Sequence, residues 1–234
     1  MVEGEQGVST AGRVSRVGMA PRAAGLSIAE AQTHWRTEHS DLALGVPGMI
    51  GYVQDHAVLR DGHPLLPYPG FDVCAETEYE DIESMRAGFA SEHYQRTVRA
   101  DEANLIDGSR FMLALTQRRV IADGEPTEGA VKLMALLRAH PASTPEALTD
   151  LLAGPYAEAV RVAEPLRHEQ LITQAEWHRG DLPACCDAVD ILWFAGPDQA
   201  LAAATGPLAD EAGWLLAGVA FGAERLIAAP LRQR

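Results

Sequence analysis

The order of apolar and polar positions divides the chain into segments of two periods. Val14–Arg22 predicts a strand that stops before Gly25. Ser27 and Glu30 form the two ends of a capping box, a helix start. Ile28, Ala31, Trp35, His39 and Leu42 follow at spacings of 3, 4, 4 and 3, one face of an amphipathic helix that Pro47-Gly48 ends. Met49–Val58 predicts a strand, Arg60–Gly70 a Pro- and Gly-rich loop, and Phe71–Tyr79 another strand. Asp81–Asp107 predicts a helix with an irregularity near Gly88, and Ser109–Ile121 a strand. Residues 123–129 hold Gly124 and Pro126 and predict a linker.

The same order then returns. Val131–His140 predicts a strand, and Thr144 followed by Pro145 starts a helix reaching about Ala163. Leu166–His178 and Asp187–Phe194 predict strands, Asp198–Ala217 a helix, and Ala220–Pro230 a last strand. Each half reads as βαββαβ, the order of a ferredoxin-like unit. Three matches support an internal repeat: Asp101-Glu102-Ala103 with Asp210-Glu211-Ala212, Phe71-Asp72-Val73 with Val189-Asp190-Ile191, and Ser27 with Thr144. The expected fold class is α+β, with two tandem ferredoxin-like units. The divisions are a flexible N-terminus at 1–12, a first unit at 13–122, the linker at 123–129 and a degenerate second unit at 130–234.

Composition narrows the function. Of 234 residues, 47% are hydrophobic and 22% charged, which excludes a disordered tail. Acidic residues outnumber basic ones 33 to 19, a net charge of −14, and no basic cluster forms in either half. Nucleic acid and anionic membrane surfaces are therefore not expected partners. The longest apolar stretch, Trp214 to Gly222, is too short to span a bilayer, and the first residues lack a signal-peptide pattern. Cys74, Cys185 and Cys186 lack framework spacing, which points to reduced thiols and a cytoplasmic setting. No ligand spacing for a metal and no nucleotide-binding glycine motif occurs, so no cofactor is expected. Lys132, the one lysine, lies in an apolar run and reads as structural.

His39 sits on the apolar helix face, either as a core residue or as an acid–base group in a dry pocket. Ile50, Tyr52, Gln54 and His56 share one face of their strand by the period of two, and a Tyr52 hydroxyl there suits a developing oxyanion. The second-half helix has no histidine, and Ile172 stands near the place of Tyr52, so the first half is expected to hold the site. His34 is about 100° round the helix from the His39 face. Its spacing of five from His39 does not suit joint metal binding. His56 and His63 fall near a strand end and in a loop, placed to line a pocket mouth.

The segment His34-Trp35-Arg36-Thr37-Glu38-His39, then Val46-Pro47-Gly48-Met49-Ile50-Gly51-Tyr52-Val53-Gln54, resembles the EthD-like family of the dimeric α+β barrel superfamily. Phe71-Asp72 and Asp101-Glu102-Ala103 share the resemblance. It implies two units facing sheet to sheet, here within one chain as a monomeric pseudo-dimer or as a homodimer. It also implies cofactor-free proton chemistry of the lyase, isomerase, cyclase or dehydratase type. The substrate would be a hydrophobic carbonyl compound of aromatic, ether or lactone breakdown or of polyketide tailoring. A histidine near His93 is the base in some polyketide-cyclising relatives. Haem occurs on the same general fold, without a marked axial ligand here. Candidate catalytic residues are thus His39, Tyr52 and His93, and candidate substrate-binding residues Trp35, Gln54, His56 and Cys74. The competing reading is a carrier or accessory protein for a hydrophobic metabolite.

Overall fold

The computed structural model describes residues 12–178 and 182–232. The expected flexible N-terminus therefore lies, but for Gly12, outside the described residues. The first half runs β1 (Val14–Ala20), α1 (Ile28–His34), a π-turn (Trp35–His39) and α2 (Ser40–Ala43). Then come β2 (Met49–Ala57), the short strands β3 (Leu59–Arg60) and β4 (His63–Pro64), and β5 (Val73–Tyr79). It closes with α3 (Ile82–Ala90), a π-turn (Tyr94–Val98), α4 (Arg99–Leu105) and β6 (Met112–Ala122). The second half is β7 (Val131–Ala139), α5 (Pro145–Ala153), α6 (Pro155–Val160) and β8 (Arg167–Thr173). It ends with β9 (Ala188–Phe194), α7 (Pro197–Thr205), α8 (Pro207–Leu216) and β10 (Ala220–Arg232).

Eight strands close into one α+β barrel in the order β1-β5-β2-β10-β7-β9-β8-β6, all neighbours antiparallel. The halves meet along two seams, β2 with β10 and β6 with β8. Closure leaves no free edge among these strands. Alternation then sorts the side chains. Val17, Cys74, Met134, Leu171, Val189 and Leu226, drawn from strands of both halves, pack together inside the barrel. On the outer faces, α5 to α8 cover Leu133, Leu192 and Phe194 with Leu148, Leu152 and Val160. The first-half helices cover Tyr52, Tyr79 and Leu115 less completely.

The barrel interior also holds charge. Lys132 is 2% exposed and pairs with Asp55 at 2.9 Å and with Glu76. Arg118 reaches Glu76 at 2.7 Å and Glu169 at 3.1 Å. Burial alone would raise the Glu76 carboxyl, but Lys132 and Arg118 overcome it and hold it well below the usual carboxylate range. Lys132 is thus held between two carboxylates inside the barrel.

Several boundaries differ from the sequence expectations. The helix of 81–107 is broken after Ala90, where Ser91 turns extended, and not at Gly88. Gly88 is instead a contact point: a Cβ there would lie 2.6 Å from the carbonyl oxygen of Pro47. The strand expected over 166–178 stops at Thr173. In β2 the register with β5 shifts between Met49 and Gly51, so Ile50 is an extra residue. Met49 takes the buried place beside Tyr52, and Ile50 is 39% exposed. No described helix is long and apolar enough to cross a membrane.

Candidate active site

The loose side of the first half is a cavity between the sheet and its helices. Arg16, Trp35, His39, Tyr52, Tyr79, Phe89, Tyr94, Glu102 and Phe111 are among its walls. The space open to the centre of a water molecule is about 70 Å³.

His39 reaches this cavity because α1 does not continue regularly. Ser27 caps its start, its hydroxyl accepting from Glu30 N–H while the Glu30 carboxylate accepts from Ser27 N–H at 2.8 Å. Trp35–His39 then adds the extra residue of a π-turn, a local form frequent at functional sites. Nδ1 of His39 lies 2.8 Å from Oδ2 of Asp101 on α4. Nε2 of His34 lies 2.8 Å from Oδ1 of the same carboxylate. A carboxylate accepts, so His39 carries a hydrogen on Nδ1.

Tyr52 is fixed by its own strand. The Gln54 amide donates from Nε2 to the Trp35 carbonyl at 2.7 Å and to the Tyr52 hydroxyl oxygen at 2.9 Å. His56 Nε2 lies 3.0 Å from Gln54 Oε1, an acceptor, so that nitrogen is the donor. Burial, with a smaller push from Arg36, lowers His56 to about 4, so it is neutral near neutral pH. Burial raises Tyr52 to about 12, against the opposing hydrogen bond from Gln54. Tyr52 therefore accepts from Gln54 and keeps its own O–H as a donor.

The other candidates separate. Trp35 is a cavity wall and packs on the His56 ring at 4.4 Å between centroids. Gln54 and His56 are buried behind Tyr52, Gln54 on its hydroxyl and His56 on Gln54. His93 is not among the cavity walls; its Nε2 donates to the Leu42 carbonyl at 2.8 Å and ties down the end of α2. Cys74 faces the barrel interior, and burial, then the charge of Asp55, pushes its thiol well up. His63 is exposed in the β3–β4 pair.

Four wall or near-wall residues were not singled out for chemistry from sequence: Arg16, Tyr94, Asp101 and Glu102. Tyr94 donates to the Glu102 carboxylate at 3.0 Å. Asp101 and Glu102 appeared as a repeat triplet, but their partners are set by helix geometry. A readable signal for Arg16 was an arginine within the apolar run Val14–Ala20, two residues before Gly18.

The second half shows the same frame with Leu148, Leu152 and Val160 packed between helices and sheet. Gln170 donates to the Leu152 carbonyl at 2.9 Å, as Gln54 does to Trp35. By that match Tyr52 corresponds to His168, not to a residue near Ile172, and His39 to Tyr156. His168 Nε2 and the Tyr156 hydroxyl both bind Asp190, at 2.7 and 2.9 Å. Asp190 pairs with Gln170 while Ala75 pairs with Gln54, so the Phe71-Asp72-Val73 match is out of register. The first-half cavity, at about 70 Å³ and crossed by Arg16 over Phe89 and Phe111, has no room for haem.

Comparison with known proteins agrees with this architecture. Residues 23–109 match the EthD domain. An anthrone oxidase-like protein is similar in structure, with a TM-score of 0.64 and 12% identity over 94% of this chain and 93% of that one. A putative monooxygenase from Fusobacterium nucleatum subsp. nucleatum has a TM-score of 0.56 and 10% identity over 93% of each chain. Chlorite dismutase from Candidatus Nitrospira defluvii in complex with imidazole has a TM-score of 0.53 and 9% identity over 94% and 92%. These likenesses are of fold. Comparison with curated proteins finds no match. His39, Tyr52 and Asp101 all fall within residues 23–109, the segment of the α+β barrel that matches the EthD domain.

Proposed function

We propose that this chain is a cofactor-independent enzyme that removes a proton from a hydrophobic, carbonyl-containing small molecule. The observation that carries the reading is His39, held by Asp101 at 2.8 Å, on the same cavity as the Tyr52 hydroxyl. His39 Nε2 takes a proton from a carbon next to the carbonyl. The electron pair moves to the carbonyl oxygen, and Tyr52 O–H donates to the oxyanion. Asp101 steadies the imidazolium that forms. Returning the proton to another carbon is isomerisation; loss of a leaving group is dehydration or cleavage. The name of one fold neighbour, anthrone oxidase-like, supports an aromatic ketone as the substrate class.

The strand orders β6-β1-β5-β2 and β10-β7-β9-β8 support two ferredoxin-like units, at 13–122 and 130–234 with 123–129 between them. Closure of the barrel within one chain supports a monomer. That Cys74, Cys185 and Cys186 form no disulfide among the described residues supports a cytoplasmic setting.

Anthrone in deuterated buffer tests the reading by the rate of exchange at its acidic carbon, followed by proton NMR. The wild type should accelerate exchange, and His39→Gln should remove roughly 10²–10⁴ of that acceleration. Saturable binding of anthrone and related ketones without acceleration would favour the carrier.

A further inference from the structure

Arg16 stands in the cavity wall without a carboxylate. Among the described residues no ion pair and no hydrogen bond engages its guanidinium. It lies instead over the rings of Phe89, at 4.3 Å to the centroid, and Phe111, at 5.4 Å. Aromatic faces hold a cation without neutralising it. Position 18 makes the room. A Cβ on Gly18 would sit 2.8 Å from an Arg16 Nη and 3.2 Å from Phe111, so this strand glycine is the floor on which the guanidinium rests.

Four other cations of the fold are treated differently. Arg22, Arg118, Lys132 and Arg167 each have a carboxylate within 3.2 Å. Near Arg16 the Tyr79 hydroxyl is also buried and closes no hydrogen bond of good geometry. Glu102, the carboxylate among the cavity walls, is occupied by Tyr94 and forms no ion pair with Arg16. A fixed cation and a spare hydroxyl thus share a wall of an otherwise aromatic cavity.

We propose that Arg16, seated on Gly18, is an oxyanion subsite that binds the phenolate or enolate oxygen of an aromatic ligand. This rests on the reading of the cavity as the reaction site. It adds that the ligand carries an ionisable oxygen, with Tyr79 as a second donor to it. A guanidinium at the developing oxygen lowers the cost of charge separation when His39 takes the proton.

A phenol that changes absorbance on ionising tests the subsite without turnover. With 4-nitrophenol as the probe, the wild-type complex should titrate about 1–3 pH units below the free phenol, the effect of one nearby opposite charge. Arg16→Met should abolish the fall, and Arg16→Lys should keep part of it. Gly18→Ala retains the arginine but takes its floor, and should also abolish the fall while circular dichroism stays that of the wild type. His39→Gln should keep it, which separates this proposal from the proton-transfer reading. An unchanged or raised titration in the wild type, an equal fall in Arg16→Met, or no saturable binding of 4-nitrophenol overturns the subsite.

Discussion

His34 and His39, five residues apart, bind the two oxygens of one carboxylate, Asp101, each at 2.8 Å. In a regular α-helix that spacing sets them about 140° apart in projection, on different faces. The π-turn at Trp35–His39 inserts one residue and lets both rings meet α4. Asp101 is thereby held from one side by His34 and orients His39 from the other.

The first prediction follows from that arrangement. Asp101→Asn keeps size but no longer demands the hydrogen on Nδ1 of His39. Turnover should fall by roughly 10²–10⁴, as for loss of acid–base function. His34→Gln, which preserves a donor to Asp101, should cost less than tenfold. Rates of proton exchange at matched folding decide it; equal losses would make the two histidines equivalent.

His93 gives the second prediction. Its ring serves the Leu42 carbonyl, outside the cavity walls. His93→Ala should lower stability by about 0.5–1.5 kcal/mol, the worth of one hydrogen bond, and leave turnover near the parent rate. Urea unfolding and the exchange assay, run on His93→Ala and His39→Gln together, should give opposite patterns.

The third prediction concerns acid. His56 has a folded pKa of about 4, below its ordinary 6.5, because burial disfavours the cation. Below 6.5 the unfolded chain binds a proton that the folded chain refuses until about pH 4. Stability from this residue is therefore full above pH 6.5 and declines as pH falls toward 4, by up to about 3 kcal/mol. His56→Phe keeps a ring against Trp35 and leaves Gln54 Oε1 without this donor. It should be less stable at pH 7 but lose less between pH 7 and 4.5. The slope of the urea midpoint against pH in the two proteins is the measurement.

The fold was legible in sequence because its signals are local. Ser27 with Glu30 and Thr144 before Pro145 mark helix starts by capping chemistry alone. The site was half legible. His39 and Tyr52 lay on faces that periodicity defines, and both line the cavity. Asp101 was quoted without a role, because its meeting with His39 depends on an extra helical residue that no spacing announces. Arg16 escaped because its meaning lies in what it lacks: a partner, and a side chain at Gly18. Ile50 was misplaced by a bulge, which turns one residue out of the alternation without any glycine or proline at Ile50 itself.

The last prediction separates frame from chemistry. Gln54 and Gln170 make the same bond in the two halves, each donating to a helix carbonyl, at 2.7 Å to Trp35 and 2.9 Å to Leu152. Both are 0% exposed, so neither carbonyl gains water when its donor is removed. Gln54→Leu and Gln170→Leu should therefore each cost about 1–3 kcal/mol, the penalty of a buried acceptor left without a partner. Their effects on turnover should part. Gln54 also donates to the Tyr52 hydroxyl and so directs its O–H toward the cavity. Gln170 stands beside His168, which is committed to Asp190. Gln54→Leu should slow proton exchange by about tenfold or more beyond any unfolding, while Gln170→Leu leaves the rate of the folded fraction unchanged. Equal slowing by both at matched folded fraction would mean that the second half takes part in the chemistry.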